Sequence, residues 1–181
     1  MSANRLSLQP PLAAGFARLG FGPLPLERLK SRYGNAAQGS RYVEIDGFNV
    51  HYRDEGSRDK PALLLIHGVV ASLHTWDGWV QAFAPHYRII RFDVPGFGLT
   101  GPARDGVYSV ERMMHVLGQL LDYLQVGKAD IAGNSLGGYI AWNFALAQPQ
   151  RVGKLVQSPC LTPTFTPIAF SSSISALNTL S

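Results

Sequence analysis

Apolar and polar positions first fall into a regular order near residue 42. Tyr42-Val43-Glu44-Ile45 and Phe48-Asn49-Val50-His51-Tyr52 alternate on either side of Asp46-Gly47, and Asp-Gly between two alternating runs predicts a β-hairpin. Ala62 to Ile66 is an unbroken apolar run, the pattern of a strand buried on both faces. A glycine-containing loop and a short helical stretch, Trp76 to Ala84, come next. Arg88 to Phe92 reads as another short strand ending at Asp93, and a Pro/Gly-rich loop covers Val94 to Pro102. Ser109 to Leu124 predicts the clearest helix: Ser109 suits the N-cap, Glu111 the first turn, and Val110, Met113, Met114, Leu117, Leu121 and Leu124 form one apolar stripe. Asp130 to Gly133 reads as a strand, Leu136 to Gln148 as a helix stopped by Pro149, and Val152 to Gln157 as a last strand. A hairpin followed by alternating strands and helices predicts an α/β fold, with an antiparallel hairpin, then a mainly parallel sheet and helices on both faces.

The flanks differ from this core, so the chain divides into an N-terminal extension (1–40), an α/β domain (41–157) and a tail (158–181). No Asp, Glu, Lys, Arg or His occurs from Leu155 to Ser181. The tail is Ser, Thr, Pro and small apolar residues without periodicity, and reads as unrelated to the domain. In the extension, Leu6 to Leu29 is broken by Gln9, Pro10, Pro11, Arg18, Pro23 and Pro25, whereas a spanning helix needs about 20 mostly apolar residues. Arg5 precedes an apolar run too short for a signal peptide. The extension is expected to pack against the domain or lie loosely on it.

Composition narrows the classes further. Sixteen Lys and Arg against twelve Asp and Glu give a formal net charge of +4. The basic residues read as scattered and the aromatics sit inside apolar runs, which favours a solvated surface over a nucleic-acid partner. The one cysteine, Cys160, excludes an internal disulfide framework and fits a reducing compartment. No zinc pattern or thiol nucleophile is present, and no cofactor is implied. A cytoplasmic protein with a small-molecule substrate is the expectation. Membrane association through Phe16, Leu19, Phe21 and Leu24, near several basic residues, is the alternative.

Gly133-Asn134-Ser135-Leu136-Gly137 carries the chemistry. This G-x-S-x-G lies between a predicted strand and a predicted helix, the context in which a sharp turn lifts a serine into a cleft. Small residues flank Ser135 because neighbouring backbone must pass close by. The helix that follows offers free N–H groups and a favourable dipole to developing negative charge. His67-Gly68-Val69-Val70 follows the apolar strand, and Val69 N–H can join Leu136 N–H on an oxyanion. His67 itself reads as a structural histidine closing a strand. Asp93, at a strand end, is open to two readings, catalytic acid or turn cap for the loop Val94 to Thr100. The turn cap is favoured.

The order His67-Gly68, Asp93-x-x-Gly96-x-Gly98-x-Thr100, Gly133-Asn134-Ser135-Leu136-Gly137-Gly138, Pro149-x-Arg151-Val152 resembles the α/β-hydrolase superfamily over about Tyr42 to Val156. It is similar to the branch of small esterases, carbon–carbon bond hydrolases and cofactor-free haloperoxidases. The resemblance implies an eight-stranded sheet, Ser135 as nucleophile, and the Val69 and Leu136 N–H groups as oxyanion hole. Serine rather than aspartate at position 135 argues against the haloalkane dehalogenase and epoxide hydrolase branches.

One departure matters. In this fold the chain order is serine, acid, histidine, and no Asp, Glu or His follows Ser135. Six strands are placed, and the lid has no counterpart. Among upstream histidines, His115 falls on the polar face of its helix, His51 shares a strand face with Asn49 and Arg53, and His86 sits in a turn. Only His74 lies near the oxyanion loop, so no triad histidine or acid is found. Three readings stand: a serine hydrolase of small ester-like or carbon–carbon substrates working through an acyl-enzyme; a truncated or frame-shifted, non-catalytic form of one, or a binding remnant; and a receptor that kept the fold and lost the chemistry. An unpaired outer edge on the last strand also predicts self-association.

Overall fold

Asp46 and Gly47 both take positive φ, 50° and 77°, the backbone of a two-residue turn whose twist matches paired antiparallel strands. The turn joins β1 (Arg41–Ile45) to β2 (Phe48–Glu55), with Ile45 opposite Phe48 and Arg41 opposite Tyr52. In this computed structural model residues 26–158 and 169–170 are described. Residues 1–25 of the extension, Cys160 and most of the tail lie outside them. Ahead of the hairpin, α1 (Leu26–Tyr33) leads into a 3₁₀ turn, Ala36–Gln38, capped by Asn35, whose side chain accepts from Ala37 N–H.

The remaining elements follow in alternation: β3 (Ala62–Ile66), a 3₁₀ turn (Leu73–Trp76) running into α2 (Asp77–Phe83), β4 (Arg88–Phe92), α3 (Val110–Tyr123), β5 (Ala129–Asn134), α4 (Leu136–Ala147), a 3₁₀ turn (Pro149–Arg151), β6 (Val152–Ser158) and β7 (Ala169–Phe170). They form one seven-stranded sheet in the order β1-β2-β4-β3-β5-β6-β7. β4, β3, β5 and β6 run parallel, and β2 joins them antiparallel through β4.

Alternation along the central strands divides the core in two. Leu64, Ile66, Ile90 and Phe92 pack with Val116, Leu117 and Leu120 of α3 and Ile140 and Phe144 of α4. Leu63, Leu65, Ile89 and Ala132 pack on the other face with Trp76, and with Trp79 and Val80 of α2. β3 therefore reads as an unbroken apolar run because both of its faces are covered. Each fully buried side chain of this kind contributes about 1.5–3 kcal/mol. Two arginines of β4 are also buried. Arg88 makes a bidentate pair with Asp54 (2.8 and 2.9 Å) and donates to Leu124 O. Arg91 pairs with Glu55 and Asp77 and donates to Leu73 O. Burial works against the charge on Arg91, but its bonds to the two carboxylates outweigh it and raise its pKa.

Three expectations are corrected. The buried stripe of α3 is Met113, Val116, Leu117, Leu120 and Leu121, with Val110 and Met114 only half-buried, because the helix packs on both the sheet and α4. In β2, Asn49 is exposed while His51 and Arg53 are buried. The segment before β1 and the loop after β4 cover that face, where Ser40 and Asp93 meet the two side chains. The tail also adds a seventh strand. Leu155 pairs with Phe170 and Val156 with Ala169, antiparallel, so part of the outer edge of β6 is occupied. Neither Ala169 nor Phe170 is proline, so this pair does not need the N–H that Pro159, Pro163 and Pro167 lack.

Candidate active site

Parallel β3, β4 and β5 send the loops after them to the same edge of the sheet, and three short segments meet there. Ser135 joins β5 to α4 with φ 52° and ψ −117°, a conformation that residues with a β-carbon rarely adopt. Its neighbours are small for a measurable reason. A β-carbon on Gly133 would stand 2.4 Å from Gly137 O, and one on Gly137 would stand 2.1 Å from Ile66 O. The tight turn leaves Ser135 exposed, and Tyr139 N–H closes the first helical turn on Ser135 O at 3.0 Å. The N–H groups of Leu136, Gly137 and Gly138 precede that bond and have no partner within the helix.

The loop after β3 runs against this turn. A β-carbon on Gly68 would lie 3.1 Å from both Ser135 Cβ and Asn134 O, so glycine is what permits the approach. Val69 and Val70 follow, both exposed, and Val70 has φ 53°. For a β-branched side chain that is an outlier.

His67 and Asp93 hold the loops from beneath. Both ring nitrogens of the fully buried His67 are committed: Nδ1 donates to Gly68 O (2.7 Å) and Nε2 accepts from Val94 N–H (3.0 Å). Burial lowers its pKa, against the bond to Gly68 and the charge of Asp93, so the ring is neutral and has no lone pair for Ser135. Asp93 Oδ1 accepts from Leu73 N–H (2.8 Å), while Oδ2 accepts from Leu99 N–H (2.7 Å) and from His51 Nδ1 (2.8 Å). The carboxylate occupies the space that a β-carbon on Gly98 would need, 2.2 Å away, and Gly96 carries the ring of Tyr108. Both glycines have positive φ, 93° for Gly96 and 52° for Gly98. This geometry is that of a loop organiser.

Hydropathy did not reveal the far side of Asp93. His51 Nε2 lies 2.9 Å from Ser40 Oγ, and Arg53 Nε donates to the same oxygen. Ser40, His51 and Asp93 thus have the connectivity of a catalytic triad, yet Ser40 is only 3% exposed. Thr100 locks the arrangement by donating to Asp93 O (2.7 Å) and accepting from His51 N–H (3.0 Å). A polar residue at 51 between apolar neighbours carries no signal of burial; only the register of β2 against the Asp93 loop does.

The other histidines do not reach Ser135. His74 pairs with Asp77 (3.4 Å) and sets its ring edge-on to Tyr33, while His86 and His115 are exposed. Among the described residues no side chain is hydrogen-bonded to Ser135 Oγ.

The sequence pattern of the alpha/beta hydrolase fold matches residues 61–169. The chain belongs to the α/β-hydrolase fold family. Over 125 residues it is 40% identical to a 2-hydroxy-6-oxononadienedioate/2-hydroxy-6-oxononatrienedioate hydrolase of Burkholderia vietnamiensis, covering 65% of this chain and 43% of that protein. It is also 32% identical over 118 residues to epoxide hydrolase 1 of Caenorhabditis elegans, covering 65% of this chain and 29% of that one. Among solved structures, a membrane phospholipase A described as a bacterial virulence factor superposes with a TM-score of 0.64 at 26% identity, over 86% of this chain and 51% of the other. This α/β-hydrolase chain therefore spans less than half the length of these curated relatives. Among its described residues no helix is long and apolar enough to cross a membrane.

Proposed function

We propose that the chain carries the nucleophile half of a serine hydrolase, with Ser135 attacking a carbonyl carbon and the N–H groups of Leu136 and Val69 receiving the oxyanion. The observation that carries this is the backbone at Ser135, a left-handed serine between a strand and a helix, with Gly68 pressed against its β-carbon. Unpaired N–H groups at a helix start and a loop from a second strand are what stabilise charge developing on a carbonyl oxygen. The substrate class is a small ester-like molecule or an activated carbon–carbon bond next to a carbonyl. The identity to a hydrolase of the second kind supports this, and the structural likeness to a phospholipase supports the ester. Serine at the elbow, where a carboxylate would be the alternative nucleophile, favours acyl transfer over epoxide opening.

A second reading concerns the activity of these 181 residues by themselves. No Asp, Glu or His follows Ser135, and both buried upstream histidines are committed elsewhere. Without a base the hydroxyl is a poor nucleophile, although an oxyanion hole and binding can leave about 10³–10⁴-fold over water. Hydrolysis of p-nitrophenyl acetate by the chain and by Ser135→Ala tests both readings. A weak rate that Ser135→Ala abolishes supports the nucleophile assignment. A rate unchanged by the substitution overturns it, and a rate typical of a complete triad overturns the weak-activity reading.

A further inference from the structure

Val70 carries two costs at once. It is 93% exposed and has φ 53°, so a β-branched apolar side chain is held both in water and in the left-handed region. Asparagine would face water as a polar group, and both it and glycine adopt this backbone with less strain. The fold gains nothing from a valine at this position. What meets the side chain must account for it.

The surroundings of Val70 define what it meets. A β-carbon on Gly68 would lie 3.1 Å from Ser135 Cβ, so the loop that offers Val69 N–H to a carbonyl oxygen also sets two exposed valines, Val69 and Val70, beside Ser135. On the other side of the turn, Tyr139 follows Ser135 by one helical turn. Helix side chains four apart share a face and lean toward the N-terminus, which turns the exposed Tyr139 toward Ser135. None of the three segments that meet at this edge, residues 68–73, 94–103 and 131–150, contains an Asp, Glu, Lys, Arg or His. The groups beneath them are committed: Asp93 to Leu73 N–H, Leu99 N–H and His51, and His67 to Gly68 O and Val94 N–H. His74, just beyond the first segment, pairs with Asp77. The cation that follows the second segment is Arg104, which is exposed.

We propose that Val69, Val70 and Tyr139 are the seat of an uncharged, apolar acyl group on the carbonyl that Ser135 attacks. This rests on the reading of Ser135 as nucleophile and narrows its substrate class. A carbonyl bound with its oxygen on Val69 N–H carries its substituent alongside the valine side chains. An apolar substituent laid there leaves water together with the side chains it covers, a gain that grows with the area covered. A carboxylate in the same place loses hydration and finds no cation among the three segments. The seat also accounts for Val70, whose exposed side chain then serves the substrate and not the fold.

The test is a fluorine NMR titration of the full chain with trifluoromethyl alkyl ketones whose alkyl chain grows from ethyl to hexyl, and with a hexyl analogue ending in a carboxylate. Ser135 Oγ adds to the ketone carbon and its proton ends on the former carbonyl oxygen, so no group leaves. Affinity should rise about two- to fourfold per methylene, in the parent and in Ser135→Ala alike. The carboxylate probe should bind at least about tenfold more weakly than the hexyl ketone. Val70→Asn, which eases the backbone, should cut the gain per methylene to under about 1.5-fold. Leu146→Gln, on α4 but about 16 Å from Ser135 along the helix, should leave it unchanged. A flat series, no binding, a gain that survives Val70→Asn, or a gain lost in Leu146→Gln would overturn the proposal. So would a carboxylate probe that binds as tightly as the hexyl ketone, with Arg104→Gln showing whether that cation holds it. The nucleophile reading fails separately: parent and Ser135→Ala would then bind every ketone equally, whatever the slope of the series.

Discussion

Nδ1 of His51 lies 2.8 Å from Oδ2 of Asp93, and both side chains are buried. The contact binds the hairpin to the loop after β4, while the same carboxylate holds Leu73 N–H and Leu99 N–H. Leu73 ends the stretch that begins at Gly68, so the loop beside Ser135 takes its position from a carboxylate that never enters the cleft. His67 adds a second tie by joining Gly68 O to Val94 N–H.

Replacing Asp93 by asparagine should therefore destabilise the fold. The amide keeps the shape but loses the charge and turns one acceptor into a donor facing buried N–H groups, which costs about 3 kcal/mol. Burial opposes ionisation of Asp93, yet bonds from His51, Leu99 and Leu73 outweigh it and hold its pKa below the usual carboxylate range. A depressed acid contributes stability that is complete above its unfolded pKa, about 3.9, and is lost as pH falls through the folded value. Urea midpoints across a pH series should show a gap between parent and Asp93→Asn that is constant from about pH 5 to 7 and closes below about pH 4. A gap that stays constant into acid would mean that the carboxyl has the same pKa folded and unfolded, so that its ionisation does not stabilise the fold.

His67 predicts a loss in the same direction, but in milder acid. Burial lowers its pKa, so the unfolded chain takes a proton near pH 6.5 that the folded ring resists. Stability from this group is complete above about pH 6.5 and falls as pH drops toward the folded value, by at most about 1.4 kcal/mol per pH unit. Thermal melts between about pH 7 and pH 5 should show that slope, whereas His67→Gln should be less stable throughout and lack the corresponding part of it.

Much of this architecture is legible in the residue pattern because its causes are local. Asp46-Gly47 specifies its own turn, Ala62 to Ile66 matches β3, and Ser109 caps α3 by accepting from Arg112 N–H. The glycines around Ser135 announce a close approach that Ile66 O confirms. What the pattern does not carry is pairing across distance. His51 and Asp93 are 42 residues apart, and nothing in Val50-His51-Tyr52 tells that a polar side chain there is sealed beneath Ser40. The strand Ala169–Phe170 escapes for a similar reason. Two residues form no periodicity, and only the edge of β6 identifies them as a strand.

Helix α4 is apolar around its whole circumference, and Tyr139, Trp142 and Leu146 stay exposed at helical spacing. Such a stripe promotes association. The double variant Trp142→Gln, Leu146→Gln should reduce concentration-dependent assembly in sedimentation velocity, with stability moving by no more than about 0.5 kcal/mol, as for other surface changes. Unchanged assembly would place the sticky surface elsewhere, with the remaining edge of β6 the next candidate.

Ser135 should be a residue at which the fold gains from losing its side chain. At φ 52° and ψ −117° the β-carbon is the source of strain, and such backbone costs about 1–3 kcal/mol. Alanine keeps that β-carbon, so Ser135→Ala should match the parent in stability. Glycine removes it, and at positive φ glycine carries no such penalty. Against this, glycine gives the unfolded chain more freedom, worth about 0.5–1 kcal/mol. The balance leaves Ser135→Gly more stable than Ser135→Ala by about 1 kcal/mol, or roughly 2–4 °C for a domain of this size. Urea and thermal denaturation of the three proteins give the order directly. If alanine stabilises as much as glycine, the strain lies in the hydroxyl and not in the backbone, and the turn at Ser135 would not be the stored cost of presenting a nucleophile.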